Sequence, residues 1–351
     1  MKIKTEYRTY TLHFKFPAGT SRGIMNDKLT YFLKVSDPGN PEKVGYGEVP
    51  FFKGLSAESQ AELESQLDLI SGMDNLEEML ESPLFSSLRF GLEMALRDLE
   101  GGGRSLYFPS PFTLAESSLE INGLIWMGDF NLMKSRVEEK LKADFKCIKI
   151  KIGAVNWNDE LDLIRFIRSR RGKHITVRVD ANGAFSPDEA MPKLEELARL
   201  GVHSIEQPIK HGNWENMRFI CEHSPVPVAL DEDLIGVPVG IQRDELIDYI
   251  RPQFLILKPA LCYGFSGASD WIERARRRNI GWWVTSALES SSGLNAIAQF
   301  TGVLHPEIPQ GLGTGSLYTN NLPSPLRLEG DRLWYCGPAD AYKSRLDSLF
   351  K

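Results

Sequence analysis

Apolar, β-branched runs recur through the middle of this chain at the spacing of one strand plus one helix, and each ends at or near a charged residue. The runs Cys147–Ile152, Ile175–Asp180, His203–Glu206, Val226–Asp231 and Phe254–Lys258 carry Lys151, Asp180, Glu206, Asp231 and Lys258 at intervals of 29, 26, 25 and 27 residues. Amphipathic stretches lie between them, such as Asp159–Arg170 with Leu161, Ile164 and Ile167 on one stripe. Strand and helix alternating at this period imply parallel βα units. The same spacing reaches back to Ile121–Trp126 and forward to Trp282–Ser286 and Glu307–Gly311, which predicts eight strands. Pro323 and Pro325 leave no room for a barrel helix after Gly311. In a closed parallel barrel the strand C-termini converge on one mouth, where chemistry is placed.

The flanks read differently. Residues 1–50 alternate as antiparallel strands around the loop Gly19–Gly23, and residues 57–100 are helical by period until Gly101–Gly103 breaks the pattern. The expected division is an α+β domain over 1–117, completed by the tail 322–351, and a barrel domain over 118–321. The tail alternates again from Leu326 and is expected to rejoin the first domain. A net charge of −6 offers no general basic surface for nucleic acid. The basic run Arg274–Arg278 reads as a solvated helix face. No apolar h-region follows Met1 and no stretch is long enough to span a membrane, so neither export nor a membrane partner is expected, and the expected location is the cytoplasm. The four cysteines are scattered without a CxxC pair and read as reduced thiols, not a zinc site.

Lys149 and Lys151 are two apart and share a strand face, with Ile148, Ile150 and Ile152 on the other. Helices cover the outside of a parallel barrel, so the lysines face inward. There they need counter-charges or shift to lower pKa, and a lysine so shifted is a competent carbon-acid base. Asp180, Glu206 and Asp231 offer three hard oxygen ligands on successive strands, a set suited to Mg²⁺ or Mn²⁺. Arg178 shares the face of Asp180 and either meets a substrate anion or pairs with a ligand carboxylate. Asn182 and Glu232 lie just beyond ligand positions, where they support the ligands or cap their loops. Lys258 precedes Pro259, which stops the strand at the mouth, opposite Lys151 if the second and sixth strands are diametric. Lys258 is then a second base or a fixed cation.

The motifs Lys149-Ile-Lys151, Asp180-Ala-Asn182, Glu206-Gln-Pro208, Asp231-Glu232 and Leu257-Lys-Pro259 together resemble the enolase superfamily, in its muconate-lactonizing-enzyme-like branch. Sites of that superfamily combine a lysine or histidine base with one or two Mg²⁺ ions. The resemblance covers nearly the whole chain and implies a (β/α)7β TIM-like barrel under an α+β capping domain. It further implies Mg²⁺ on Asp180, Glu206 and Asp231, Lys151 as base, and Lys258 as the lysine on the opposite face. No histidine stands in Val284–Leu288, which argues against the branch with a His–Asp dyad there. Ser286–Gly293, Gly311–Thr314, Thr20–Gly23 and Arg178–Phe185 resemble the o-succinylbenzoate synthase family, with Gly313 where members often carry an acid. That family dehydrates a dianionic cyclohexadiene carboxylate. Lys149, Arg178, Ser286, Ser290 and Gly311 are then expected at the substrate, with Ser21 and Arg22 on a lid. The alternatives are an N-succinylamino acid racemase, a muconate-type cycloisomerase, or a barrel that only binds. No Asp-x-Asp pair for a substrate amine stands in Ser286–Gly315. No feature specifies an oligomeric state.

Overall fold

The computed structural model describes residues 2–20, 23–337 and 340–351. Ser21 and Arg22, the expected lid residues, lie outside them. Strands β1 (Lys4–Thr20), β2 (Gly23–Asp37) and β3 (Asn40–Val49) form an antiparallel sheet in chain order. Its alternation divides two faces. Tyr31, Leu33, Val35 and Val49 pack on the helical layer, whereas Lys28, Thr30, Phe32, Val44, Tyr46 and Glu48 lie on the other side.

The helical stretch expected over 57–100 is three helices: α1 (Gln60–Ser71), α2 (Leu76–Glu81) and α3 (Ser86–Glu100). Local chemistry makes the breaks. Gly72 caps the first helix, Asn75 caps the second through the Glu77 N–H, and Pro83 follows the end of α2. Helix α1 begins with a Ser59–Glu62 capping box. Helix α3 lies so close on β3 that a Cβ at Gly47 would stand 1.9 Å from the Gly91 carbonyl oxygen.

Seven parallel strands follow in chain order: β5 (Gly123–Ile125), β6 (Cys147–Lys151), β7 (Thr176–Asp180), β8 (Ser204–Glu206), β9 (Val228–Leu230), β10 (Phe254–Leu257) and β11 (Gly281–Val284). The expected eighth strand is reduced to two parallel bridges, Ile121 with Gln310 and Thr285 with Gly311, which close the barrel. Helices α4 (Phe130–Lys142), α5 (Trp157–Arg171), α6 (Pro187–Arg199), α7 (Trp214–His223), α8 (Ile241–Ile250), α9 (Gly264–Arg277) and α10 (Ser291–Leu304) alternate with the strands. Ile148 and Ile150, with no exposed surface, belong to the layer between barrel and helices.

The tail differs from the expectation in one respect. Its strands β12 (Leu326–Glu329) and β13 (Arg332–Tyr335) pair with β4 (Leu119–Glu120) at the entry to the barrel, not with β1–β3. The last helix, α11 (Asp340–Leu349), does return: Leu346 packs on Phe32, Val44 and Tyr46, and the Tyr46 hydroxyl donates to Asp347. Among the described residues no helix is long and apolar enough to cross a membrane. In the Arg274–Arg278 run, Arg274 and Arg278 pair with Asp244, Asp248 and Asp270 at the α8–α9 surface, and Arg277 pairs with Glu273.

Gly47→Ala should destabilise the protein by about 1–3 kcal/mol, because the sheet and α3 must part to admit the methyl group. Urea unfolding checks this; an unchanged midpoint would show that the two backbones yield without cost.

Candidate active site

Pairing between β6, β7 and β8 sets Lys151 beside Asp180 and Asp180 beside Glu206 in one layer at the barrel mouth. Glu206 pairs in turn with Ala229, so Asp231 stands two residues further along. The Lys151 Nζ donates to Asp180 Oδ2 at 2.7 Å and to Asn182 Oδ1 at 2.6 Å. One step deeper, the Lys149 Nζ lies 2.8 Å from Asp180 Oδ2 and 2.6 Å from Glu206 Oε2. Lys258 pairs with Asp231. Asn182 donates to Glu232 Oε1 at 3.0 Å, which ties the β7 loop to the β9 loop.

These charges are out of water, and the pKa directions follow from burial set against partners. Burial opposes an ammonium on Lys149, but Asp180 and Glu206 outweigh it and hold its pKa well above the usual lysine value. Burial likewise opposes the charge on Lys258, and Asp231, Glu232 and Glu206 reverse that effect. The downward shift that would follow without counter-charges is therefore replaced at both lysines by an upward one. Asp180 is held well below the ordinary carboxylate range: burial would raise it, but Lys149 and Lys151 prevail. Glu206 is pushed well up, by burial first and then by the Asp180 carboxylate beside it. Glu232 is raised by burial and by Asp231. The mouth thus holds more carboxylate than its ammonium groups can comfortably neutralise.

Two observations bear on a cation here. Glu206 Oε1 and Asp231 Oδ1 are buried and have no hydrogen-bond partner among the described residues. Hard oxygens left unsatisfied in this way fit a divalent cation such as Mg²⁺. Against this, no three acidic, histidine or cysteine side chains among the described residues converge in metal-ligand geometry. The physical reason lies in the ion pairs above, which draw the carboxylates onto the lysines.

The backbone beside these groups is strained. Asn182 and Gln207 adopt positive φ of 45° and 41°, a region costly for residues other than glycine. The Gln207 side chain repays this by linking loops: its oxygen accepts from the Asp231 N–H at 3.1 Å and its nitrogen donates to Asp233 at 2.7 Å. Sequence reading placed Gln207 inside a motif but gave it no role.

The mouth opens into a cavity lined by Lys149, Lys151, Asn182, Glu206, Glu232 and Lys258 on the charged side. Thr285–Leu288, Gly311, Gly313 and Thr314 form the facing wall, where Ser286 Oγ and Thr314 Oγ1 lie 2.6 Å apart. Phe52 and Leu55 cover it from the capping side, and Asn122, Leu124 and Trp126 from the first strand. None of these five was expected; only the adjacent aromatics Phe51-Phe52 after a strand hinted at an apolar cover. Ser286 and Gly311 line the cavity.

Two residues expected at the substrate are placed outside the cavity lining. Arg178 does not line the cavity: it is buried in the barrel, donates to the Pro309 carbonyl at 2.8 Å, and stacks 4.0 Å from the Trp283 ring centre. Its inward direction is as expected, but it lies two residues deeper than Asp180. Ser290 is the N-cap of α10 and faces Glu48, away from the cavity.

Similarity to known proteins agrees with this geometry. Residues 132–332 match the family model described as enolase C-terminal domain-like. The o-succinylbenzoate synthase of Desulfotalea psychrophila is 43% identical over 94% of this chain and 98% of its own length. The crystal structure of MenC from Desulfotalea psychrophila superposes with a TM-score of 0.86 and 40% identity, covering 95% of this chain and all of that one. An L-Ala-D/L-amino acid epimerase of Maribacter is more distant, 28% identical over 85% of this chain and 86% of its own.

Arg178→Lys should destabilise the fold by about 1–3 kcal/mol, because an ammonium loses the planar stack on Trp283 and forces a new arrangement at Pro309. Denaturant unfolding tests this. Unaltered stability would mean that the guanidinium plane is not what the site requires.

Proposed function

This chain belongs to the enolase C-terminal domain-like family, and we propose that it is a carbon–oxygen lyase with the o-succinylbenzoate synthase reaction. It removes water from 2-succinyl-6-hydroxy-2,4-cyclohexadiene-1-carboxylate in menaquinone biosynthesis. The observation that carries this reading is the convergence from consecutive strands of Lys149, Lys151, Asp180, Glu206, Asp231 and Lys258 through ion pairs, with Lys149, Lys151, Glu206 and Lys258 lining one cavity. The 43% identity to a synthase over nearly the full length supports it. The epimerases are far more distant and do not favour racemisation.

Asp180, Glu206 and Asp231 would hold Mg²⁺, with Asn182 and Glu232 bracing their loops. When bound, Mg²⁺ would neutralise the ring carboxylate and acidify the adjacent C–H. Lys151, with Nζ neutral, takes that proton. The C–O bond then breaks on the same face, and the Lys151 ammonium returns the proton to the departing hydroxide as water. The ring gains its third double bond and becomes aromatic. Lys258 stays protonated on the other face and stabilises the negative charge that builds on the carboxylate. Lys149 holds Asp180 and Glu206 in position. Ser286, Gly311 and Thr314 receive the succinyl arm, while Phe52, Leu55 and Trp126 exclude water. In this reading residues 1–117 and 322–351 form the cap over a barrel of 118–321, and the enzyme works on a small dianion in the cytoplasm.

Loss of the diene's ultraviolet absorbance on adding protein tests the function directly. Conversion should require Mg²⁺ and stop with excess EDTA; conversion unaffected by EDTA would remove the metal from the scheme. Lys151→Ala should lower turnover by roughly 10²–10⁴-fold with Mg²⁺ binding retained. Substantial residual dehydration would exclude Lys151 as the base. Glu206→Gln should weaken Mg²⁺ binding by an order of magnitude or more in calorimetry, and equal affinity would refute its place among the ligands.

A further inference from the structure

Glu48 carries a carboxylate with no exposed surface on β3, far in sequence from the barrel mouth. Its four hydrogen bonds reach two domains' worth of chain. Oε1 accepts from Thr30 Oγ1 at 3.0 Å and the Ser290 N–H at 2.9 Å. Oε2 accepts from Ser290 Oγ at 2.6 Å and the Gly293 N–H at 2.8 Å. The N-terminus of α10 therefore receives its anion from the capping sheet. Gly293 is required for this approach, since a Cβ there would stand 2.9 Å from Glu48 Oε2.

The segment just before this cap is the cavity wall Thr285–Leu288. Glu289 is fully buried behind it and accepts from the Ala287 N–H at 2.8 Å. Burial pushes Glu289 up to about 7, with Lys28 opposing and Glu48 reinforcing the shift. Lys28 itself is buried on the same sheet face, and burial lowers its pKa against the pull of Glu48 and Glu289. Neither Lys28 Nζ nor Glu289 Oε1 has a hydrogen-bond partner among the described residues. Leu288 sits at a positive φ of 61°, with its carbonyl held by the Tyr318 hydroxyl at 2.7 Å. A wall in this strained form depends on what grips it from behind.

We propose that Glu48 is a positioning residue for the reaction: by capping α10 from the sheet it fixes the wall Thr285–Leu288 against the substrate. The proposal rests on the reading of this cavity as the substrate site. The wall meets the substrate away from the reacting carbon, so its displacement weakens ground state and transition state alike.

Glu48→Gln retains the size but turns an amide N–H₂ toward backbone or hydroxyl donors. With the diene as substrate, KM should rise about tenfold while kcat stays within about threefold, and Mg²⁺ affinity should not change. The Kd of o-succinylbenzoate, measured with Mg²⁺ present, should rise in parallel. Mere loss of folded enzyme would lower apparent kcat at constant KM, and constant KM overturns the proposal. If Glu48→Gln does not fold, Ser290→Ala removes one of the four bonds and should raise KM about two- to fivefold; no rise again overturns it. If wild-type protein neither converts the diene nor binds o-succinylbenzoate, the functional reading fails. Amide exchange then decides the positioning claim alone: Glu48→Gln, or Ser290→Ala in its place, should speed exchange in Thr285–Leu288 but not in β6–β8, and equal speeding in both overturns it.

Discussion

Everything at the barrel mouth depends on like charges being forced together. Parallel pairing without a stagger puts Asp180 next to Glu206. Two buried carboxylates at that spacing repel, and burial multiplies the cost because water no longer screens them. The chain answers with ammonium groups from the neighbouring strand: Lys149 reaches both carboxylates, Lys151 reaches one. The answer is incomplete, as the raised Glu206 pKa and its unsatisfied oxygen record. A site left short of positive charge in this way suits a cation, and under the proposed function one of the lysines that compensate it, Lys151, is also the group that moves the proton.

The capping layer is bound to this chemistry through contacts that leave little tolerance. Gly47 lets β3 lie directly on α3, and the next residue, Glu48, crosses to α10. Neighbouring residues of a single strand thereby set both the packing of the helical layer and the seat of a barrel helix. Tyr318 adds a third tie, from the segment paired with β1 to the Leu288 carbonyl. The cavity is therefore walled by a loop whose geometry is decided outside the barrel.

The barrel was legible in the sequence because its period is physical: each strand must be apolar outward, and each unit needs a helix long enough to cover it. Lys151, Asp180, Glu206, Asp231 and Lys258 stood out because a charge at the end of a buried strand needs a reason. Direction along a strand was legible as well, which is why Arg178 points inward; its depth was not, since periodicity says nothing of which layer meets the cavity. Ser290 looked like a substrate contact because a serine-rich loop at a strand end suggests one, yet helix capping claimed its hydroxyl. Phe52 and Leu55 could not be read, because they meet the site only after the cap docks, and Asn122, Leu124 and Trp126 could not because the first barrel strand carries no charge to mark its mouth. The helix breaks at Gly72 and Pro83 were visible in the chain, but the apolar period ran across them and concealed them.

The return of α11 to the first sheet has a consequence for synthesis of the chain. The Tyr46 hydroxyl and its Asp347 acceptor are 301 residues apart. At ribosomal rates of about 5–20 residues per second, the partner emerges roughly 15–60 s after the tyrosine. Through that interval Phe32, Val44 and Tyr46 lack the helix that buries them. The nascent sheet therefore presents an uncovered apolar face while the whole barrel is still being made, and only synthesis of the last helix closes it.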